Sequence, residues 1–343
     1  MGSIEHSLKR DQRAGVVKSR IGELDALRGF ALAGIHVVNI YQQVVLTALF
    51  SGAIGYGIAE LPDVVRYGFY ERFLPIFTLL FGVSFGIFTQ RAAHRTDRPR
   101  VVLVRRLTAL LVIGATHFIF HPGEVLTAYA VLAFAFLLPA TYLRPRAVLA
   151  VSAVLLLVGA QTVPGFGVMP GLLLLGYGLT GIGAVAALPE HPKRVLGCFT
   201  FTAVLTIGYL GSVAAGWHLP RLSLGPASLT SQLAGVTAGV AYASGFLLLL
   251  RTRWGGVLSG FFAPMGRMAL TNYLAATVMF LSAAPLMGIE DFESWPQVTA
   301  LTFLIVVAQA GWSRWWLRRF TYGPVEWLWR CVTWWERVRL RRV

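Results

Sequence analysis

Apolar runs recur roughly every 25 to 35 residues along this chain, and a helix needs ~20 apolar residues to cross a hydrocarbon layer of ~30 Å. Lipid offers no partner for backbone N–H and C=O groups, so such runs must be helices, which satisfy those groups internally. The expected fold is therefore all-α, a polytopic membrane bundle of about ten spans: 27–47, 69–90, 107–121, 125–143, 148–163, 166–188, 195–217, 231–250, 268–287 and 298–317. Only 13% of the residues are charged, against about 25% in an ordinary soluble domain.

Charge tests the division independently. With the amino terminus in the cytoplasm, every Lys and Arg except Arg66, Arg72 and Arg221 falls on the inner side, while the outer loop 289–293 is acidic and carries no cation. Positive charge retained inside sets orientation, so an even number of spans with both termini cytoplasmic is expected, in a multi-pass protein of the plasma membrane. The net charge of +15 is thereby an orientation signal and argues against a nucleic-acid partner, which a single basic face would mark. The lipid bilayer is the expected partner. The basic run 91–100 reads as a lipid-facing orientation signal or as a dock for an anionic cofactor.

Three parts follow: a basic cytoplasmic segment 1–20, a transmembrane domain 21–321, and a segment 322–343 whose Trp327, Trp329, Trp334 and Trp335 alternate with arginines as in a helix lying among headgroups. The first 20 residues lack the apolar centre of a cleavable signal. Residues 51–72 read as either a re-entrant or an interfacial helix. Cys198 and Cys331 lie too far apart in topology to suggest a bridge.

Ionisable groups at membrane depth are costly and are functional candidates by default. Asp25 and Arg28 share one helical face and can pair. Arg28 either anchors the first helix or holds a phosphate-bearing ligand. His36 and Asn39 lie one turn apart, as packing glue or as support for a substrate. His117, with His121, Pro122, Gly123 and Glu124 after it, is the most reactive-looking cluster: a histidine beside a carboxylate is a general base. A satisfied polar cluster is the competing reading. A metal is the other rival, since His117 and His121 have i, i+4 spacing, but no third ligand is in a matching position, and no metal is expected. Thr271 and Asn272 open the ninth span and either glue helices or line a cavity. Gly82 and Gly86 fit close helix packing. No G-x-S-x-G elbow, phosphate loop or zinc-protease motif is present.

At several places the sequence resembles the YeiB-like family of bacterial membrane proteins, whose domain (domain of unknown function 418) has no settled activity. The residues that carry the likeness are Leu24 to Ile35 followed by Val38-Asn39-Ile40, Phe77 to Gly86, His117 with Gly123-Glu124-Val125-Leu126 and Tyr129, Gly266 to Tyr273, and Tyr322 to Arg330. Glu124 stands where that family usually has aspartate, and His36 where an aliphatic residue is usual. The family's amino-terminal half is similar to transmembrane acyltransferases of the heparan glucosamine acetyltransferase type.

That likeness implies an enzyme that takes acyl-CoA from the cytoplasm and acylates an acceptor at the outer face. No tightly bound cofactor is expected, and acyl-CoA would be a co-substrate. In this reading Arg28, beside Asp25, holds the phosphates, the thioester arm passes Thr271 and Asn272, His117 is the base oriented by Glu124, and Asn39, Tyr129 or His36 supports substrate and oxyanion. A lipid, a glycan or a hydrophobic metabolite would serve as acceptor. A transporter or exporter, or a membrane scaffold without catalysis, is the alternative.

Overall fold

The computed structural model describes residues 22–45, 61–163, 165–217, 229–289 and 294–342. Within these residues the chain is all-helical, with a lone bridge between Phe320 and Arg341. The principal helices are α1 (22–45), α2 (Phe73–Ala93), α3 (Pro99–Phe118), α4 (Leu126–Ala140), α5 (Pro145–Gly159), α6 (Met169–Gly181), α7 (Pro192–Ala214), α8 (Leu229–Leu249), α9 (Gly255–Arg267), α10 (Ala269–Ala283), α11 (Trp295–Arg319) and α12 (Pro324–Trp334).

Each of the ten apolar runs is matched by a helix, with shifted ends; α3 begins eight residues ahead of its run. Proline explains several starts. Pro99, Pro145, Pro192 and Pro324 stand first in their helices, where a missing N–H costs nothing. Among the described residues, four helical segments are long and apolar enough to cross a membrane: Asp63–Ala93, Pro99–Phe118, Pro192–Ala214 and Leu229–Leu249. Outward-facing Phe201, Val204 and Ile207 on α7 are each about two-thirds exposed, as suits a lipid-facing surface and not a water-facing one. The chain is a helical membrane protein.

The basic segment 1–20, residues 51–60 of the expected re-entrant or interfacial stretch, and residues 290–293 of the expected acidic outer loop lie outside the described residues. One element departs from expectation: the stretch read as an inner loop, 251–267, contains α9. Gly29 and Gly266 account for its seat. A Cβ on Gly29 would collide with the Phe262 carbonyl, and one on Gly266 with that of Asp25, so the backbones of α1 and α9 touch. Gly82 likewise lets α2 approach the Leu173 carbonyl on α6, the close packing its spacing predicts.

Two apolar clusters share α1. Leu32, Leu103, Leu107, Tyr129 and Leu173 belong to the larger; Ile40, Tyr41, Phe280 and Ile305 to the smaller. Beside the larger cluster, α2, α3, the start of α1, the end of α9, the start of α10 and α12 enclose a cavity.

Candidate functional site

The contact between Gly29 and Gly266 sets Arg28 at the rim of that cavity, which measures about 270 Å³. Arg28 Nη1 donates to Asp25 Oδ1 at 2.8 Å and, more weakly, to the Gly266 carbonyl at 3.4 Å; Nη2 donates to Ser84 Oγ at 2.9 Å. Arg106, Arg267 and Arg330 line the same end, Phe77, Phe81 and Leu110 the middle, and Leu126 and Tyr273 are also part of the wall. The cavity is cationic in one part and apolar in the rest.

Beyond Tyr273 lies the histidine cluster. Gly114 has no side chain to obstruct Thr127, whose N–H would be 2.7 Å from a Cβ there, so α3 and the start of α4 close together and His117 faces Glu124. Glu124 caps α4: its Oε2 accepts the Leu126 N–H at 2.5 Å and its Oε1 the Thr127 N–H at 2.9 Å. His117 Nδ1 lies 4.0 Å from Glu124 Oε2, an ion-pair separation too long for a hydrogen bond. Nδ1 has no hydrogen-bond partner among the described residues. Nε2 is bonded to Thr277 Oγ1 at 2.9 Å.

The His117 ring borders a second hollow of about 360 Å³ between α3 and α10, lined by apolar side chains such as Val112, Ile113, Leu274 and Val278. Val112 and Val278, 60% and 64% exposed, open it toward the outer surface of the bundle. Tyr273 stands between the two spaces. Its ring meets the His117 ring edge-on at 5.3 Å, and its Oη accepts from Asn39 Nδ2 at 3.2 Å and from the Val125 N–H at 3.3 Å. The tyrosine's own hydrogen has no acceptor among the described residues.

His121 bonds through Nδ1 to Gln43 Oε1, and its ring centroid is 5.8 Å from that of His117. Among the described residues no three His, Cys, Asp or Glu side chains converge as metal ligands.

The remaining predicted residues occupy other places. Thr271 is engaged by the carboxy-terminal helix: Glu326 Oε2 accepts its hydroxyl at 2.5 Å, and Glu326 Oε1 accepts the N–H groups of Leu270 and Thr271 at 2.7 and 3.0 Å. Burial pushes the Glu326 carboxyl up, against the pull of those bonds. Asn272 donates to Ser313 Oγ at 2.8 Å, and Gln309 links its carbonyl to His36 Nε2, both at 2.8 Å. His36 and Asn272 thus join α1, α10 and α11 in one polar chain. The side chains bordering the cavity are those of their neighbours Leu270 and Tyr273. Tyr129 is fully buried, stacked on Phe81, with its hydroxyl 2.8 Å from Thr78 Oγ1. Since Thr78 donates to the Leu74 carbonyl, Tyr129 is the donor and its hydrogen is committed.

Sequence reasoning did not single out Tyr273, Thr277, Arg106, Arg330 or Glu326. Helical spacing was a usable signal for one set, since Glu326, Trp329 and Arg330 stand at i, i+3 and i+4 on one face of α12.

A family model described as "Protein of unknown function (DUF418)" matches residues 183–336. The chain is 33% identical to an "Uncharacterized 39.9 kDa protein in amylase 3'region" of Bacillus acidopullulyticus, over 92% of this chain and 94% of that one. It is 28% identical to "Uncharacterized protein YxaH" of Bacillus subtilis (strain 168), over 93% and 95%, and 27% identical to "Uncharacterized protein YeiB" of Escherichia coli (strain K12), over 90% and 95%. No solved structure matches.

Proposed function

The chain belongs to the DUF418 family, and from that premise we propose that it is a transmembrane acyltransferase: about ten spans, both termini in the cytoplasm of a multi-pass plasma-membrane protein, acyl-CoA entering at the arginine end and an acceptor at His117. The observation that carries this reading is Tyr273, which lines the cationic, apolar-walled cavity while its ring packs edge-on against His117, which lines the second hollow.

The chemistry follows from the donors and acceptors around that ring. A proton on His117 Nδ1 faces the Glu124 carboxylate and leaves Nε2 basic. Nε2 now contacts the Thr277 hydroxyl, which stands where an acceptor hydroxyl or amine would. His117 takes the acceptor's proton, the freed oxygen or nitrogen attacks the thioester carbonyl, and the resulting oxyanion accepts a hydrogen bond from the Tyr273 hydroxyl, which keeps its proton and is held in place by Asn39 and the Val125 N–H. Collapse expels the thiolate, which recovers the proton from His117. The apolar lining of the hollow favours an acceptor with a hydrophobic body, a lipid before a soluble glycan.

The test is transfer of label from radiolabelled acetyl-CoA into lipid by membranes carrying wild type or His117→Ala. Label above empty membranes that His117→Ala abolishes supports the reading. Its absence from wild-type membranes across several acyl donors and acceptors favours transport instead.

A further inference from the structure

Four guanidinium groups border the 270 Å³ cavity, and they are not alike. Arg28 is paired with Asp25, and Arg267 donates to the Thr321 carbonyl at 3.1 Å. Among the described residues, the side chains of Arg106 and Arg330 have neither a carboxylate nor a hydrogen-bond acceptor. Arg106 is sandwiched instead: its guanidinium carbon lies 3.6 Å from the Trp329 ring centroid and 4.5 Å from that of Phe88. Stacking covers the faces of the planar group and leaves its N–H edge unused. Arg330 lies over Tyr322 at 4.5 Å, and the fields of Arg330 and Arg28 both act on Arg106.

Like charges gathered out of water are unfavourable until an anion compensates them. The cavity's own carboxylate, Glu326, is spent on the start of α10. Trp329 Nε1 donates to the Arg106 carbonyl at 2.8 Å, so α12 is fastened to α3 at the place where the charges meet. A helix that composition assigns to the headgroup layer is also a wall of the cavity.

We propose that Arg106 and Arg330, with Arg28, form a phosphate-recognition site closed by α12, which holds the phosphate-bearing end of an amphiphile whose apolar part lies along Phe77, Phe81 and Leu110. The proposal deepens the transferase reading by naming what grips the donor, yet binding is read without turnover, so either can fail alone. A coenzyme A thioester and a phospholipid present the same chemistry to these arginines.

The experiment uses full-length protein in maltoside micelles and measures affinity by calorimetry for two matched pairs: octanoyl-CoA against octanoyl-pantetheine, and dioctanoyl phosphatidic acid against dioctanoylglycerol. In at least one pair the phosphate-bearing member binds roughly tenfold or more tightly, as charge-assisted bidentate contacts do. Arg106→Gln removes that preference, and Arg253→Gln, an exposed arginine outside the cavity, retains it. The pair that discriminates identifies the source of the phosphate. Equal binding within both pairs of the wild type overturns the proposal whether or not the variant folds, as does a folded Arg106→Gln protein that keeps the preference. A wild type that discriminates but transfers no label fails the transferase reading alone.

Discussion

The rings of Tyr273 and His117 meet edge-on at 5.3 Å, and each borders a different space: Tyr273 the arginine-lined cavity, His117 the apolar hollow between α3 and α10. That contact joins the two halves of the proposed reaction.

Tyr273→Phe keeps the ring and removes the acceptor that Asn39 and the Val125 N–H share. Leaving buried donors unpaired costs about 1–3 kcal/mol, so the melting temperature in detergent falls. Transfer falls further, by roughly 10²–10³-fold, if the hydroxyl serves the oxyanion. Unchanged transfer in a folded variant would remove Tyr273 from the mechanism.

Glu124 gives a pH-dependent signature. Burial works against its carboxylate, but the His117 ring and the Thr127 and Leu126 bonds outweigh it and hold the carboxyl below its ordinary 4.5. A depressed value means that its stabilisation is present above pH 4.5 and is lost as pH falls through the lower, folded-state value. The melting-temperature gap between wild type and Glu124→Gln is therefore flat above pH 4.5 and narrows below it. A gap that widens on acidification contradicts the assignment.

The order of the helices was legible because long apolar runs in lipid must be helical, and His117 with Glu124 was legible because they are close in sequence. The rest depends on contacts between distant helices. Nothing local to Tyr273 reveals that Asn39 and Val125, 234 and 148 residues away, share its oxygen. Arg106 reads as one more inner cation until Trp329 and Phe88 are found on its two faces. Thr271 and Asn272 were read as helix glue or as cavity lining, and their bonds to Glu326 and Ser313 dock helices together. α9 escaped a reading based on apolar runs because Gly255, Gly256, Ser259, Gly260 and Pro264 interrupt its apolar residues and Arg267 closes it, so no continuous apolar run marks it.

Glu326→Ala should loosen α12. Three hydrogen bonds to the start of α10 disappear together, and an uncapped helix start costs ~0.5–2 kcal/mol. Limited proteolysis should then cut within Pro324–Trp334 at protease levels that leave the wild type intact. Equal resistance would show that α12 is held by its tryptophans alone.

Glycine contact between α1 and α9 predicts an asymmetry. Gly29→Ala drives a methyl into the Phe262 carbonyl, whereas Gly256→Ala on the same pair of helices meets nothing within 4 Å. Overpacking costs typically about 1–3 kcal/mol, so Gly29→Ala lowers the melting temperature and displaces Arg28, while Gly256→Ala does neither. Equal melting temperatures for the two would contradict the packing described.

Sidedness is measured in sealed membrane vesicles of known orientation, with radiolabelled acetyl-CoA supplied to one face only and acylated lipid counted in each leaflet. A transmembrane acyltransferase gives label only when acetyl-CoA reaches the cytoplasmic face, product in the opposite leaflet, and loss of both in His117→Ala. Label acquired equally from either face, or undiminished in His117→Ala, would contradict it.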